Sequence, residues 1–231
     1  MSKTLAVEDS KKRQEIIDAY NQLMAETKPA DGLLRLDIGC GKNKKEGFIG
    51  LDQYAMEGVD VVWDVRKVPW MQWPNIRTED GKDSVVAAPR FEDNSVDEVH
   101  CSHFIEHLSG LERVQFLNEL YRVMKPGAKA LFIAPHWCSN RAYGDFTHQW
   151  PPIAEMWLFY LSRKWREDQA PHNDIKWNPA GYNCDFEASW GYSYHPALAG
   201  RNQDYVVQAQ TFWKEACQDI QILMTKLVDP K

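Results

Sequence analysis

The chain has 231 residues, a net charge of −6, a hydrophobic share of 44% and a charged share of 26%. These values are ordinary for one soluble globular domain, and the acidic balance argues against nucleic acid as a partner. No apolar run reaches the roughly 20 residues that span a bilayer, and the N-terminus lacks the apolar core of a signal peptide, so we expect no membrane association.

The five cysteines favour a reducing compartment. Their number is odd, they are widely scattered, and no C-x-x-C pair occurs. This pattern argues against a disulfide framework and against a cysteine zinc site. We therefore expect free thiols and a cytoplasmic protein.

The first half of the sequence alternates helical and strand patterns. Apolar residues at helical spacing predict a helix near residues 10–26, after which the apolar run LLRLDIG ends on glycine. Strand patterns follow at 48–52, 59–65 and 96–102. The polar stretch at about residues 70–90 looks like an inserted loop.

The next segment repeats this alternation. A helix is predicted at 110–124, where Ser109 and Glu112 have the spacing of a capping box, and AKALFIA (128–134) is the next strand. Continuous apolar strands that alternate with helices imply right-handed crossovers in a parallel sheet. The predicted fold class is α/β, a doubly wound and mostly parallel sheet.

The last third of the chain is rich in aromatic residues. Residues 137–213 contain seven of the ten tryptophans. Two further strands are predicted, one at 186–194 within this region and one at 220–227 after it. Because no linker separates this region from the rest, we treat residues 1–231 as a single domain.

A glycine turn follows the first strand, in the run Leu36-Asp37-Ile38-Gly39-Cys40-Gly41. Glycines at this place let the backbone turn tightly and approach a ligand at the carboxyl end of the strand. A dinucleotide fingerprint would need a third glycine where Lys44 stands, and the GK[ST] end of a phosphate loop is also absent. The turn therefore fits a ligand that has no pyrophosphate.

Two aspartates extend this pattern to the neighbouring strands. Asp52 ends the second predicted strand, where a carboxylate can accept both hydroxyls of a ribose, and Asp64 ends the third, where it can read an exocyclic amine. Together with the glycine turn they fit one nucleoside with a charged tail. The alternative is that strand-end aspartates only cap helices or turns.

Four ordered segments resemble the motifs of the Rossmann-like (class I) S-adenosylmethionine-dependent methyltransferases. They are LDIGCG, FIGLD, FEDNSVDEVHCSHFIEHL and ELYRVMKPGAKALFIAP, which together cover about residues 33–135. The resemblance implies S-adenosylmethionine as the cofactor. It implies that the methionine portion is surrounded by Asp37, Gly39, Cys40 and Gly41 with His103 at its end, the ribose by Asp52, and the adenine by Asp64 and Val65.

The resemblance also divides the chain by function. It implies a cofactor-binding half at 31–135 and an acceptor-side half at 136–231, preceded by the N-terminal helix within 1–30. One departure concerns the segment after the glycine turn, since only six residues separate Gly41 from Phe48. That is too short for the usual crossover helix, so we predict a shortened first helix. The cofactor is then either more exposed or covered by another element, such as the N-terminal helix or the 70–90 insertion.

The segment His103-Phe-Ile-Glu106-His107 also spells H-x-x-E-H, an inverted zinc-protease signature. Such a site needs both histidines on one face of an established helix, and His103 directly follows a strand. We therefore predict no metal site, and we interpret His107 as a packed or capping residue.

The loop after the fifth strand carries the candidate catalytic residues, His136, Asp145 and His148. In the family that this chain resembles, this loop borders the methyl-acceptor pocket, and histidines titrate near neutrality. One hypothesis is that His136 or His148 takes a proton from the acceptor while Asp145 orients the imidazole. The other is that Asp145 and His148 form a hydrogen-bonded turn that only shapes the pocket.

The expected reaction is methyl transfer to a small-molecule or carbohydrate-like acceptor. Most of the aromatic side chains are expected in the core; the rest suit a flat small molecule, a sugar ring or a homodimer interface. Two other functions remain open at this point: a protein that binds S-adenosylmethionine without methylating anything, and a lyase that uses the same cofactor.

Overall fold

The computed structural model describes residues 31–70 and 91–228, together with Asp18 and the backbone of residues 75–79 and 82–86. Apart from Asp18, the helix predicted near residues 10–26 lies outside the described residues. None of the helices in the described part of the chain has the length and apolar character needed to cross a membrane.

Seven strands form one sheet in the order β3-β2-β1-β6-β7-β9-β8. They are β1 (Arg35–Ile38), β2 (Ile49–Asp52), β3 (Val61–Val62), β6 (Val96–Ser102), β7 (Met124–Pro135), β8 (Phe186–Tyr194) and β9 (Cys217–Lys226). The strands from β3 to β7 pair in parallel, and β9 and β8 pair antiparallel. The doubly wound, mostly parallel α/β sheet is therefore confirmed.

The third predicted strand is much shorter than the apolar run at 59–65. Only Val61 and Val62 pair with β2. The chain then leaves the sheet, because the N–H of Lys67 bonds back to the carbonyl of Asp64 and closes a turn.

The prediction of an inserted loop at about residues 70–90 was wrong in part. This segment contains an antiparallel hairpin, β4 (Asn75–Glu79) with β5 (Lys82–Val86), which forms a separate two-stranded sheet. A hairpin satisfies its backbone hydrogen-bonding groups within itself, so it can form without the apolar pattern by which a core strand is recognised.

No helix occurs between β1 and β2, where residues 39–48 are all described. Two acidic side chains hold this connection instead. Asp37 accepts a hydrogen bond from the N–H of Lys45 at 2.7 Å, and Asp60 accepts from Nζ of Lys44 and from the N–H of Gly50. The shortened crossover predicted from the sequence is thus a loop held by side chains.

One long helix, α1 (Gly110–Val123), connects β6 to β7. Its capping box is confirmed, since Ser109 and Glu112 bond each other's backbone N–H groups. The other helices are α2 (Arg141–Gly144), α3 (Glu155–Phe159), α4 (Arg163–Gln169) and α5 (Gln203–Phe212), with 3-10 turns at Ile105–His107, Pro171–Asn173 and Pro196–Leu198.

The sheet and α1 enclose the main hydrophobic core. Leu36, Ile38, Phe116 and Phe132 are fully buried there. Because β1, β2, β6 and β7 are parallel, their carboxyl ends lie at one edge of the sheet, where open α/β sheets bind ligands. The loops that follow these four ends build the site.

Candidate active site

The glycine turn is built on two residues with left-handed backbone. Gly39 has φ +68° and Gly41 has φ +50°, a region that side chains other than glycine rarely adopt. A Cβ atom at Gly39 would lie 2.4 Å from the ring of Phe104. The turn therefore needs glycine at residue 39 both for its backbone angle and for the close approach of that ring.

The glycine cleft is the narrow space between this turn and the ends of β2 and β3. Its walls include Gly39, Leu51, Asp52, Gln53, Trp63, Asp64, Val65, Arg66, Phe104, His107 and Leu108, and its volume is about 40 Å³. Four of the residues assigned to the cofactor by resemblance thus meet in one place. They are Gly39, Asp52, Asp64 and Val65.

The carboxylates in this cleft already have protein partners. Oδ2 of Asp52 accepts from the N–H of Gly41, and its Oδ1 accepts from the N–H of Tyr54. Both oxygens of Asp64 bind the guanidinium of Arg66, which holds the pKa of that carboxyl below its usual range. Asp52 keeps lone pairs for further donors, whereas the charge of Asp64 is compensated by Arg66.

Asp37 and Cys40 lie behind the turn and do not line the cleft. Asp37 is buried, and its Oδ1 lies 2.7 Å from Nδ1 of His100 while its Oδ2 binds the loop at Lys45. Burial, with Asp37 nearby, raises the pKa of the Cys40 thiol to about 12, so it stays neutral. In this structure Asp37 therefore stabilises the turn.

A second space, the histidine cavity, has a volume of about 650 Å³ and shares His107 as a wall with the glycine cleft. It is lined by His103, Glu106, His107, Pro135, Arg141, Gly144, Asp145, Phe146 and His148. His103 therefore lies in this cavity, next to the cleft and not inside it. Asp145 and His148, two of the three predicted catalytic residues, also line it.

Asp145 organises the loop in front of His107. Its Oδ1 accepts from the N–H of Thr147 at 2.8 Å and from the hydroxyl of Thr147 at 2.6 Å. The hydroxyl oxygen of Thr147 lies 2.9 Å from Nδ1 of His107. His148 lies beside this group, with its Nε2 3.9 Å from Oδ2 of Asp145 and its ring centroid 4.8 Å from that of His107.

Glu106 brings a buried carboxylate to the same cavity. The residue is 4% exposed, and neither of its carboxylate oxygens has a hydrogen-bond partner. The nearest cation is the imidazole of His103, whose Nδ1 lies 3.5 Å from Oε1 and whose pKa Glu106 raises. His103 itself has φ +53°, a strained conformation for a non-glycine residue and one that is common at functional sites.

Arg113 connects the two segments that form the cavity. Its guanidinium is buried and donates to the carbonyls of Ile105, Glu106, Gln149 and Pro151. No carboxylate accepts from it, and burial lowers its pKa to about 10. One side chain of α1 thereby connects the 3-10 turn of His107 to the loop of His148.

The third predicted catalytic residue, His136, is placed elsewhere. It is fully buried, its Nε2 lies 3.0 Å from Oε1 of Glu155, and its Nδ1 lies 3.1 Å from Sγ of Cys138. Its N–H continues the pairing of β7 by bonding the carbonyl of Gln218. Because Pro135 lines the histidine cavity and side chains alternate along a strand, His136 faces away from that cavity.

Six residues that line the cavity were not predicted as site residues: Glu106, His107, Pro135, Arg141, Gly144 and Phe146. A signal for the first two is present in the H-x-x-E-H segment, in which the sequence suggested a packed or capping role for His107. His103 precedes the short 3-10 turn at Ile105–His107, and His107 reaches the cavity from that turn. Its partner is His148, 41 residues later, and no local pattern connects the two.

Comparison with known proteins matches part of the chain to one family. Residues 36–132 match the family of the methyltransferase domain. Among solved structures, the chain is similar to an S-adenosylmethionine-dependent methyltransferase from Archaeoglobus fulgidus, at 18% identity and TM-score 0.51, over 97% of this chain and 100% of that one. This similarity confirms the predicted fold. No curated protein matches the sequence.

Two further solved structures are similar to the chain at lower TM-scores. One is a 16S rRNA (adenine(1408)-N(1))-methyltransferase from Catenulisporales acidiphilia, at 12% identity and TM-score 0.46, covering 93% of this chain and 92% of that one. The other is phosphoethanolamine N-methyltransferase 2 from Haemonchus contortus, at 14% identity and TM-score 0.38, covering 91% of this chain and 53% of that one. Of the three, only the first bears on the fold.

Proposed function

We propose that this chain, whose residues 36–132 match the methyltransferase-domain family, transfers a methyl group from S-adenosylmethionine to a small polar acceptor bound in the histidine cavity. The acceptor is a small molecule or a carbohydrate-like one. The single observation that carries this proposal is the position of His107, which lines both the glycine cleft and the histidine cavity.

The size of the cavity supports a small acceptor. Its volume of about 650 Å³ lies within the range of about 300–1,000 Å³ that is usual for small-molecule sites. A nucleic acid would need a positively charged groove, whereas this chain has a net charge of −6.

The chemistry of the walls supports a polar acceptor with one apolar face. Arg141 lines the cavity, and its guanidinium is fixed by two hydrogen bonds to Asp219, at 2.8 and 3.0 Å. Phe146 also lines it and is 96% exposed, so its ring is free to cover the apolar face of a sugar or a flat ring.

The glycine cleft is the proposed site of S-adenosylmethionine. Asp52 would accept the ribose hydroxyls, and the backbone of Val65 would meet the adenine beside the Asp64–Arg66 pair. The cleft is much smaller than a nucleoside, so the ring of Phe104 has to move away from Gly39 when the cofactor binds. His103, at the boundary of the two spaces, lies on the side where the methionine end would emerge.

Methyl transfer from a sulfonium is an in-line displacement: the acceptor's lone pair forms the new bond to carbon, the sulfur keeps the electrons of the broken bond, and S-adenosylhomocysteine leaves. The protein mainly has to hold the two reactants about 3–3.5 Å apart. His148 is proposed to take a proton from the acceptor's nucleophile while Asp145 orients its imidazole. His136, which bonds Glu155 and faces away from this cavity, is not proposed to contact the acceptor.

The test is incubation of the full chain with S-adenosylmethionine labelled in the methyl group and a panel of small polar acceptors. We expect label to appear in an acceptor and S-adenosylhomocysteine to accumulate in equal amount. Cleavage of the cofactor without any acceptor would identify a lyase. Tight binding with neither product over the whole panel would favour a non-methylating binding protein, and no binding would overturn the proposal.

A further inference from the structure

Three side chains converge in the histidine cavity with donor atoms suited to a metal ion. Glu106, His107 and His148 each place one ligand atom so that all three lie within 4.8 Å of one another. Two imidazoles and one carboxylate are the donor set of several catalytic zinc and iron sites. Convergence alone is common among polar residues, so the case depends on the state of each donor.

The carboxylate of Glu106 is buried and makes no hydrogen bond, although the imidazole of His103 lies 3.5 Å from its Oε1. A carboxylate that is removed from water without hydrogen bonds costs several kcal/mol, and proteins retain such groups mainly at functional sites. Arg113 lies next to it but donates to backbone carbonyls, including that of Glu106, and not to the carboxylate. A cation in the cavity would supply the missing partner.

The hydrogen bonds of His107 fix which of its nitrogens carries the proton. Thr147 has one hydroxyl hydrogen, and it is donated to Oδ1 of Asp145. The hydroxyl oxygen must therefore accept the 2.9 Å bond from His107, so Nδ1 carries hydrogen and Nε2 carries the lone pair. A carboxylate that acts on a ligating histidine in this way, here through Thr147, is the usual support of a metal site.

The same reasoning applies to His148. Its Nδ1 lies 3.4 Å from the carbonyl oxygen of Ala142, which can only accept, so this nitrogen is the donor. Nε2 is then the nitrogen of His148 that remains for a metal ion, although it also lies 3.9 Å from Oδ2 of Asp145. The Nε2 atoms of both imidazoles are thus the available donors beside the Glu106 carboxylate, which makes no hydrogen bond.

We propose that Glu106, His107 and His148 bind a divalent transition-metal ion, with zinc the best fit to this donor set. Three protein ligands leave a coordination position open, and here it faces a cavity of about 650 Å³. Because the cavity is also the proposed acceptor site, the proposal deepens the proposed function: with an ion bound at Nε2 of His148, the ion and not that imidazole would activate the acceptor's nucleophile. Its test nevertheless needs no turnover, so the two can fail separately.

A second cluster, formed by His136, Cys138 and Cys217, must be distinguished from this site in any binding experiment. All three residues are buried, and both imidazole nitrogens of His136 already have protein partners. Its sulfur ligands would give a different spectroscopic signature from the oxygen and nitrogen ligands of the proposed site.

The experiment uses the full chain after treatment with a chelator, titrated with Zn²⁺ by calorimetry and followed by thermal melting. We expect one ion per chain and a rise in Tm, since an ion that binds only the folded state stabilises it. His107→Ala and His148→Ala should each lower the affinity at least 100-fold. Thr147→Val, which removes no ligand, should lower it about 10–100-fold.

Two controls keep the result interpretable. The double variant Cys138→Ser/Cys217→Ser should bind zinc as the wild type does, and Co²⁺ bound in place of zinc should show no thiolate charge-transfer band. Glu106→Gln should melt at the same temperature as the metal-free wild type or higher, because a neutral amide costs less to bury, and should lose the rise on adding zinc.

Three results would overturn the proposal. They are the absence of zinc binding by the wild type at micromolar concentration, binding that survives in both histidine variants, and binding that is lost only in the cysteine double variant. A metal site that is confirmed in a chain without methyl transfer would refute the proposed function and leave this one standing.

Discussion

The backbone N–H of Gly41 donates a 3.0 Å hydrogen bond to Oδ2 of Asp52. The last residue of β2 thereby holds the turn that follows β1, eleven residues earlier in the chain. Both carboxylate oxygens of Asp52 accept backbone N–H groups, since Oδ1 binds Tyr54. This residue therefore contributes to the shape of the cleft as well as to the charge within it.

Asp52→Ala should weaken S-adenosylmethionine binding by about 1.5–3 kcal/mol, or roughly 10–150-fold, because charge-assisted hydrogen bonds to the ribose are lost. Since two backbone donors also lose their acceptor, we expect Tm without ligand to fall by a few degrees. Calorimetry and melting measure the two effects. Asp168→Ala, on the exposed side of α4, is the matched control; equal affinity in both variants would place the ribose elsewhere.

Gly39→Ala should lower stability by about 1–3 kcal/mol and abolish cofactor binding, because its Cβ would lie 2.4 Å from the ring of Phe104. The partner variant Phe104→Ala removes the ring. In a double-mutant cycle, the loss in free energy of unfolding of the combined variant should be smaller than the sum of the two single losses by about 1 kcal/mol or more. Additive losses would show that the left-handed backbone of Gly39 alone matters.

The strands and the capping box were predictable from the sequence because their signals are local. β6 matches its predicted range of 96–102 residue for residue, and Ser109 with Glu112 needs only a spacing of three. The end of β3 was not predictable in this way. Residues 63–65 continue the predicted strand, but β2 ends at Asp52, which pairs with Val62, so no residue of β2 remains to pair with them.

The histidine cavity could be predicted only in part. The segment after β7 pointed to Asp145 and His148, and both line it. His136 was grouped with them because it follows the strand, yet the pairing of β7 extends to it and turns its side chain to the other face. His107 and His148 lie together because Arg113 binds backbone carbonyls near both of them. No spacing in the sequence indicates this arrangement.

Glu155 is expected to make stability depend on pH under acidic conditions. Its bonds from His136 and Tyr192 lower its pKa from 4.5 to about 2. A carboxyl whose pKa is depressed on folding contributes stability above its ordinary pKa and loses it as the pH falls through its folded value. Between pH 4.5 and 2 the wild type should lose stability more steeply than Glu155→Gln.

Thermal melting at a series of pH values checks this expectation. Glu187→Gln, an exposed glutamate on β8, is the control and should melt with the same pH dependence as the wild type. Parallel curves for Glu155→Gln and the wild type would mean that the hydrogen bonds from His136 and Tyr192 to Glu155 contribute nothing to the stability of the folded state.

His148→Ala should lower turnover by about 10²–10⁴-fold while the affinity for S-adenosylmethionine stays near that of the wild type, because the residue lines the histidine cavity and not the glycine cleft. His172→Ala, in an exposed 3-10 turn, serves as the control. Single-turnover kinetics with an identified acceptor measure the effect. If only KM rises and kcat stays within a few-fold, His148 binds the acceptor and takes no part in activating it.

Arg113→Lys tests how the cavity is assembled. A lysine ammonium cannot reach the four carbonyls that the guanidinium spans, so we expect a loss of about 2–4 kcal/mol in the free energy of unfolding. A loss of stability alone would fit any buried arginine. The informative readout is the contact between the rings of His107 and His148, whose centroids are 4.8 Å apart in the wild type.

Proton NMR should detect the contact between these two rings in the wild type and lose it in Arg113→Lys, with a parallel fall of at least tenfold in zinc affinity. Arg122→Lys, on the same helix α1, is the matched control. Arg122 binds Glu119 and Asp93 far from the cavity, so its variant should lose stability without changing either readout. An intact ring contact in Arg113→Lys would mean that the loop of His148 is positioned by other bonds, such as that from the N–H of Gln149 to the carbonyl of Glu106.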